Sequence, residues 1–126
     1  MTVFLISAGI LGLLAVVLTV NIGRLRGKKR ISLGDGGDKE MEAAIRAHGN
    51  LIEFAPLCLL LIYLLHGPYG DRMMAILAAV LVVARLAHAG GMLDYIPRGR
   101  VVGAVLTTTT LGVAAVMLIA AGLRTL

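Results

Sequence analysis

Tryptophan is missing from this chain, cysteine occurs once, and only 15% of its 126 residues are charged. A lone cysteine excludes a disulfide framework within one chain and any multi-cysteine zinc site. So little charge excludes a disordered chain, which needs low hydrophobicity and high net charge. Soluble domains run at about 45–50% apolar and about a quarter charged. With 59% hydrophobic residues and a mean hydropathy of +0.94, this chain is not one of them. The net charge of +5 and a pI near 10 would suit a nucleic-acid partner. The cations, however, sit between long apolar runs rather than on a soluble face, the pattern of a membrane protein that binds no nucleic acid.

Four apolar segments are present. The first, Met1 to Gly23, carries no charge before Arg24, and roughly 20 residues suffice to cross the hydrocarbon core. No basic region precedes it as in a secretory signal, so it reads as a retained helix. The second, Leu51 to Leu65, is short and contains Glu53. An amphipathic stretch from about Asp38 to Asn50 leads into it, and together they make one long helix. The third, Met73 to about Leu93, carries Arg85 and His88, and the fourth, Val101 to Leu123, has no charge. The expected architecture is an all-α integral membrane protein, a four-helix bundle of one domain, with helices near 1–24, 38–66, 72–93 and 99–124.

Orientation follows from lysine and arginine in short loops. Arg24, Arg26, Lys28, Lys29, Arg30 and Lys39 flank loop one, and Arg98 and Arg100 flank loop three. Arg72 and Arg124 stand on the other side. The count puts loops one and three in the cytoplasm and both termini outside. Membrane helices associate through close packing of small residues. Ala8, Gly12 and Ala15 offer such a stripe on the first helix. Arg100, Gly103, Thr107, Thr110 and Ala114 offer one on the fourth, with the threonine hydroxyls bonded back to their own helix.

A charge at bilayer depth costs about 2.5–3.5 kcal/mol and is a functional candidate by default. On the second helix Glu42, Arg46, Asn50 and Glu53, spaced four, four and three apart, fall on one stripe. It can serve a ligand, or close on itself as a Glu42–Arg46 pair and an interhelical clamp from Asn50 and Glu53. Pro56 removes the amide that would bond the Ile52 carbonyl, so a kink is expected there. On the third helix Arg85 and His88 share a face with Met92. Arg85 needs a carboxylate partner, and Glu53 of the same or a neighbouring chain is the candidate for a structural ion pair. His66 reads as a solvated loop residue. Cys58, among leucines, reads as a protonated and inert thiol. Gly34-Asp35-Gly36-Gly37 is a turn with no phosphate-loop spacing. No Ser/His/Asp set, no histidine cluster with metal-ligand spacing and no haem motif occurs, so no metal is expected. Several cations, one deep carboxylate and one amide suit a small anionic zwitterion.

The segment Arg46-Ala47-His48-Gly49-Asn50-Leu51-Ile52-Glu53-Phe54-Ala55-Pro56 resembles the second-helix signature of the MAPEG family, the membrane-associated proteins in eicosanoid and glutathione metabolism. Gly23-Arg24-Leu25-Arg26 resembles the end of that family's first helix. Arg85-Leu86-Ala87-His88 resembles its third, and Arg100-Val101-Val102-Gly103 with Leu106-Thr107 the start of its fourth. The resemblance implies a homotrimer that binds glutathione as co-substrate between subunits near the cytoplasmic face. It implies Arg24, Arg46, His48, Asn50, Glu53 and His88 as glutathione contacts, the two arginines on its carboxylates and Glu53 on its amine. Arg100 is the choice for the group that activates the thiol, with Arg98 competing because the loop around Pro97 is not firmly aligned. Met92 stands where several eicosanoid-forming members carry a tyrosine, and Gly49 where the prostaglandin-forming member has an arginine. Both departures point away from those specialised reactions and toward a general glutathione transferase or peroxidase; the resemblance is to a bacterial-type member, which implies the inner membrane. It would act on lipophilic electrophiles or lipid hydroperoxides that arrive through the membrane lipids.

A free thiol of pKa about 8.5 is only a few per cent thiolate at neutral pH. A guanidinium within hydrogen-bond reach could lower that pKa by about 2, worth about 2.7 kcal/mol, and it cannot surrender its own proton. Two alternatives remain open on sequence. A small multidrug-type transporter also has four helices, but it would want its membrane carboxylate on the first helix with aromatic partners, and here that helix has no acid. A non-catalytic protein that binds glutathione or lipid is the other.

Overall fold

The computed structural model describes residues 1–125. Four helices account for nearly all of them: α1 (Thr2–Lys29), α2 (Lys39–Leu64), α3 (His66–Met92) and α4 (Gly99–Leu123). Each is long and apolar enough to cross a membrane. At about 1.5 Å per residue even the 25-residue α4 exceeds the roughly 30 Å hydrocarbon thickness. The short connections leave sequence neighbours antiparallel. The second and third helices each pack on the other three, whereas α1 and α4 do not touch among the described residues.

The core is a seam of aliphatic and small side chains. Leu11 and Leu18 of α1 meet Leu51, Cys58 and Ile62 of α2 and Met74, Leu77 and Leu81 of α3. Only Ser7, Leu11, Leu18 and Leu25 of α1 are buried, a spacing of four, seven and seven that makes one narrow stripe. The rest of α1, including Leu5, Leu13, Val16 and Val20, is exposed. In a membrane that surface meets hydrocarbon and costs little.

The first helix runs on to Lys29, past the end expected near residue 24. Basic residues suit its negative C-terminal dipole end, and Arg26, Lys28 and Lys29 occupy its last turn. Arg30 then closes it in the left-handed conformation, φ 56°. Loop one is thereby shortened and clamped. Lys29 Nζ lies 2.7 Å from Asp38 and 2.8 Å from Glu40, and Asp38 Oδ1 accepts the Met41 amide at 2.9 Å to cap α2. The hydrogen bond from Lys29 holds the Asp38 carboxyl below its ordinary range.

At the opposite end only Leu65 separates α2 from α3. Gly70, at φ 75° and ψ 178°, breaks α3 into a short turn around Pro68 and the spanning helix beyond it. Tyr69 Oη donates to the Met117 carbonyl at 3.0 Å and ties this turn to α4. His66, expected to be merely solvated, has Nε2 2.8 Å from the Asp71 carboxylate. The second helix continues through Pro56 without a break in its assigned span.

Candidate functional site

The third and fourth helices approach each other through glycine. A Cβ on Gly91 would strike the Arg100 amide nitrogen, and one on Gly99 would strike the Ala87 carbonyl. A Cβ on Gly103 would lie 2.5 Å from the Ala84 carbonyl oxygen and the His88 nitrogen. Only hydrogen at these positions permits backbone contact, as in small-residue packing between membrane helices. The first turn of α4 is thereby pressed against the last turns of α3, and Arg100 comes beside His88 and Met92. Thr107 and Thr110 bond back to Gly103 and Leu106 at 2.8 Å, which satisfies their hydroxyls within the same interface.

Against this pair, α2 presents a polar stripe. Lys39, Glu42, Ala43, Arg46 and Asn50 line one wall of a cleft of about 350 Å³, and His88, Met92 and Arg100 line the other. Small-molecule sites run to about 300–1,000 Å³. Three cations face one carboxylate in it. Among the described residues Glu42 and Arg46 form no ion pair, so the Arg46 charge is left for a ligand. The positive dipole end of α4, where Arg100 sits, adds to the same potential.

Behind the cleft Arg85 is 1% exposed. The expected pairing with Glu53 within the chain is not made. Arg85 instead donates to Asn50 Oδ1 at 2.7 Å and Thr107 Oγ1 at 3.3 Å, and its Nη2 stands 3.4 Å from His88 Nδ1. The reason is the helix wheel. At about 100° per residue, Glu53 lies roughly 160° around α2 from the buried Leu51, whereas Asn50 lies at the edge of the buried face. Glu53 is exposed accordingly.

The remaining expected contacts scatter. His48, two residues from Asn50, faces the other flank of α2 and is half-buried outside the cleft. Arg24 lines a separate crevice of about 70 Å³ with Asn21, Glu40, Asp94 and Tyr95, and donates to Asn21 Oδ1 at 3.2 Å. That crevice shares Ala43 and Met92 with the main cleft, so the two adjoin. Arg98 caps α4 in the left-handed conformation and lines neither. Lys39 was missed on sequence because it stood among loop cations. The glycines at 91, 99 and 103 were the available signal that Arg100 would be carried into the site. Among the described residues no three His, Cys, Asp or Glu side chains come together as metal ligands.

The model of the MAPEG family matches residues 4–120, nearly the whole chain. The chain belongs to the MAPEG family. Two curated relatives, both called inner membrane protein YecN, come from Escherichia coli K12 and Escherichia coli O6:H1 (strain CFT073). Each is 35% identical over 80 residues, covering 63% of this chain and 61% of the relative. The match to them thus spans about three fifths of either protein. This MAPEG chain is an integral membrane protein, with its cationic cleft among α2, α3 and α4.

Proposed function

We propose that the protein is a glutathione-dependent transferase or peroxidase that ionises the glutathione thiol for attack on lipophilic electrophiles. The observation that carries the reading is the cleft itself: Lys39, Arg46 and Arg100 beside Asn50 and His88, with Glu42 alone in opposition. Glutathione at neutral pH carries two carboxylates, one ammonium and the thiol. Arg46 and Lys39 suit the carboxylates, Glu42 the ammonium, and Arg100 the sulfur. With a thiol pKa lowered by about 2, most of the bound co-substrate is thiolate. The thiolate forms a C–S bond with an electrophilic carbon as a halide leaves with the bonding pair, and the thiol proton passes to water. With a lipid hydroperoxide, two glutathione molecules supply two electrons and two protons. The O–O bond breaks to alcohol and water, and a disulfide forms.

The reading places loops one and three in the cytoplasm, where glutathione is reduced, and both termini outside, in the inner membrane. The cleft then opens on the glutathione side while the second substrate enters from lipid. Glu53, exposed on the outer face of α2, would reach the co-substrate from a neighbouring protomer, and Arg24 through its adjoining crevice. Both assignments go with a homotrimer. The test is conjugation of glutathione to a chlorodinitrobenzene by the purified protein in nanodiscs, with calorimetry of glutathione binding. Turnover supports the enzyme. Binding with no turnover over a broad electrophile panel makes it a binding protein, and absence of both removes the reading.

A further inference from the structure

Among the described residues Arg85 is the one charged side chain buried in the bundle, and no carboxylate accompanies it. We propose that Arg85 is a positioning residue that turns Asn50 and His88 into N–H donors toward the cleft, and so selects an acceptor-rich anionic ligand. The choice of glutathione as that ligand rests on the reading above; the orientation of the two side chains does not.

The argument is one of valence. A guanidinium has five N–H donors and no acceptor. Its contact with Asn50 at 2.7 Å must therefore involve the amide oxygen, which turns Nδ2, a donor only, to the other side. Its contact with His88 at 3.4 Å requires Nδ1 to accept, which places the ring proton on Nε2. The third arm is anchored consistently. Thr107 spends its proton on the Gly103 carbonyl at 2.8 Å, so its oxygen is left to accept from Arg85 at 3.3 Å.

Among the described residues Asn50 Nδ2 and His88 Nε2 have no protein partner, and neither is sealed. Among the described residues the sole buried side-chain polar atom without a partner is Arg85 Nε. Asn50 and His88 both line the cleft. A single cation out of ligand reach thus fixes an amide orientation and a tautomer on two different helices. With Lys39, Arg46 and Arg100 it leaves Glu42 as the one acceptor side chain among the polar groups of the wall. Carboxylates, amide carbonyls and a thiolate all fit such a wall, whereas a cationic substrate does not.

The experiment is nitrogen-15 NMR of histidine-labelled, ligand-free protein in nanodiscs, each histidine assigned by its single substitution to glutamine. Wild-type His88 is expected wholly as the Nε2–H tautomer, and Arg85→Met is expected to release it to a mixture. Asn50→Asp keeps a partner for Arg85 but replaces the donor by a carboxylate. It should leave the His88 tautomer unchanged while weakening glutathione binding by roughly 10-fold or more. The proposal is overturned by a wild-type proton on Nδ1, by an Arg85→Met tautomer like wild type, or by Asn50→Asp binding glutathione normally. Should Arg85→Met not fold, the wild-type spectrum and Asn50→Asp decide. Should wild type bind no glutathione, the functional reading falls and the tautomers still decide this one.

Discussion

Gly91 packs directly on the backbone of Arg100, so closely that a methyl group at Gly91 would occupy the place of the Arg100 amide nitrogen. The position of the first turn of α4, and of the guanidinium it carries into the cleft, therefore depends on a hydrogen atom on another helix. Gly91→Ala must push α4 outward or distort α3. Overpacking of this kind costs about 1–3 kcal/mol. Lower thermal stability in nanodiscs and loss of glutathione conjugation are expected together. Gly27→Ala is the control, because nothing lies within 4 Å of a Cβ there, and replacing a helical glycine by alanine gains about 0.5–1 kcal/mol. Equal stability of the two variants would refute the close-packing account.

Arg100 and Arg98 are separable by the same geometry. Both side chains are exposed, but Arg100 lines the cleft, while Arg98 stands at the helix cap and lines no part of it. If the Arg100 guanidinium lowers a thiol pKa of about 8.5 by about 2, Arg100→Ala should cost roughly 25-fold in kcat/KM for conjugation at neutral pH, rising toward about 100-fold in acid. The pH profile of the variant should move up toward the free thiol, and the ultraviolet thiolate signal of bound glutathione should disappear. Arg98→Ala should stay within a few-fold of wild type. The reverse ranking would transfer the role to Arg98.

The four spans were legible because length and charge-free runs decide them, and because a bilayer tolerates no half measures in backbone hydrogen bonding. The α2 stripe was legible as far as Asn50, since residues four apart share a face. Glu53 shares that face with Glu42 and Arg46, but it is exposed and lies outside the cleft, and a helical spacing does not say which residues of a polar face a neighbouring helix will cover. Charge bookkeeping demanded a carboxylate for Arg85, but the chain answers with an amide, a hydroxyl and an imidazole, and residue type alone does not reveal such neutral satisfaction. The end of α1 is expected near residue 24 because the charge-free run stops there, yet a helix need not end where its apolar span does, and the cations that follow carry it to Lys29.

Among the described residues Arg46 has no ion-pair partner and lines the cleft, so its removal should act on binding rather than on chemistry. A hydrogen bond to a charged group is worth about 1.5–3 kcal/mol. Arg46→Ala should therefore raise the glutathione Kd and KM by roughly 10- to 100-fold, with kcat changed much less. Arg46→Lys should recover part of the loss, since the charge returns without the bidentate fork. Added salt should weaken the wild type more than the alanine variant, because the missing interaction is the screened one. A fall in kcat at unchanged KM would move Arg46 from binding to catalysis.

Asp38 joins two roles at the start of α2: it caps the helix through the Met41 amide and pairs with Lys29. Its carboxyl is held below the ordinary 3.8 by that pairing. A depressed carboxyl pKa contributes stability that is present above the unfolded value and is lost as pH falls through the folded one. Amide exchange at Met41 should thus be slow near neutrality and accelerate as pH falls below about 3.8, after correction for the intrinsic rate. Asp38→Asn keeps a capping oxygen but not the charge, so the Met41 amide should stay protected and lose its acid dependence. Asp38→Ala removes both and should expose Met41 at every pH. An acid response that survives in Asp38→Asn would show that another carboxylate, with Glu40 the first to examine, governs this junction.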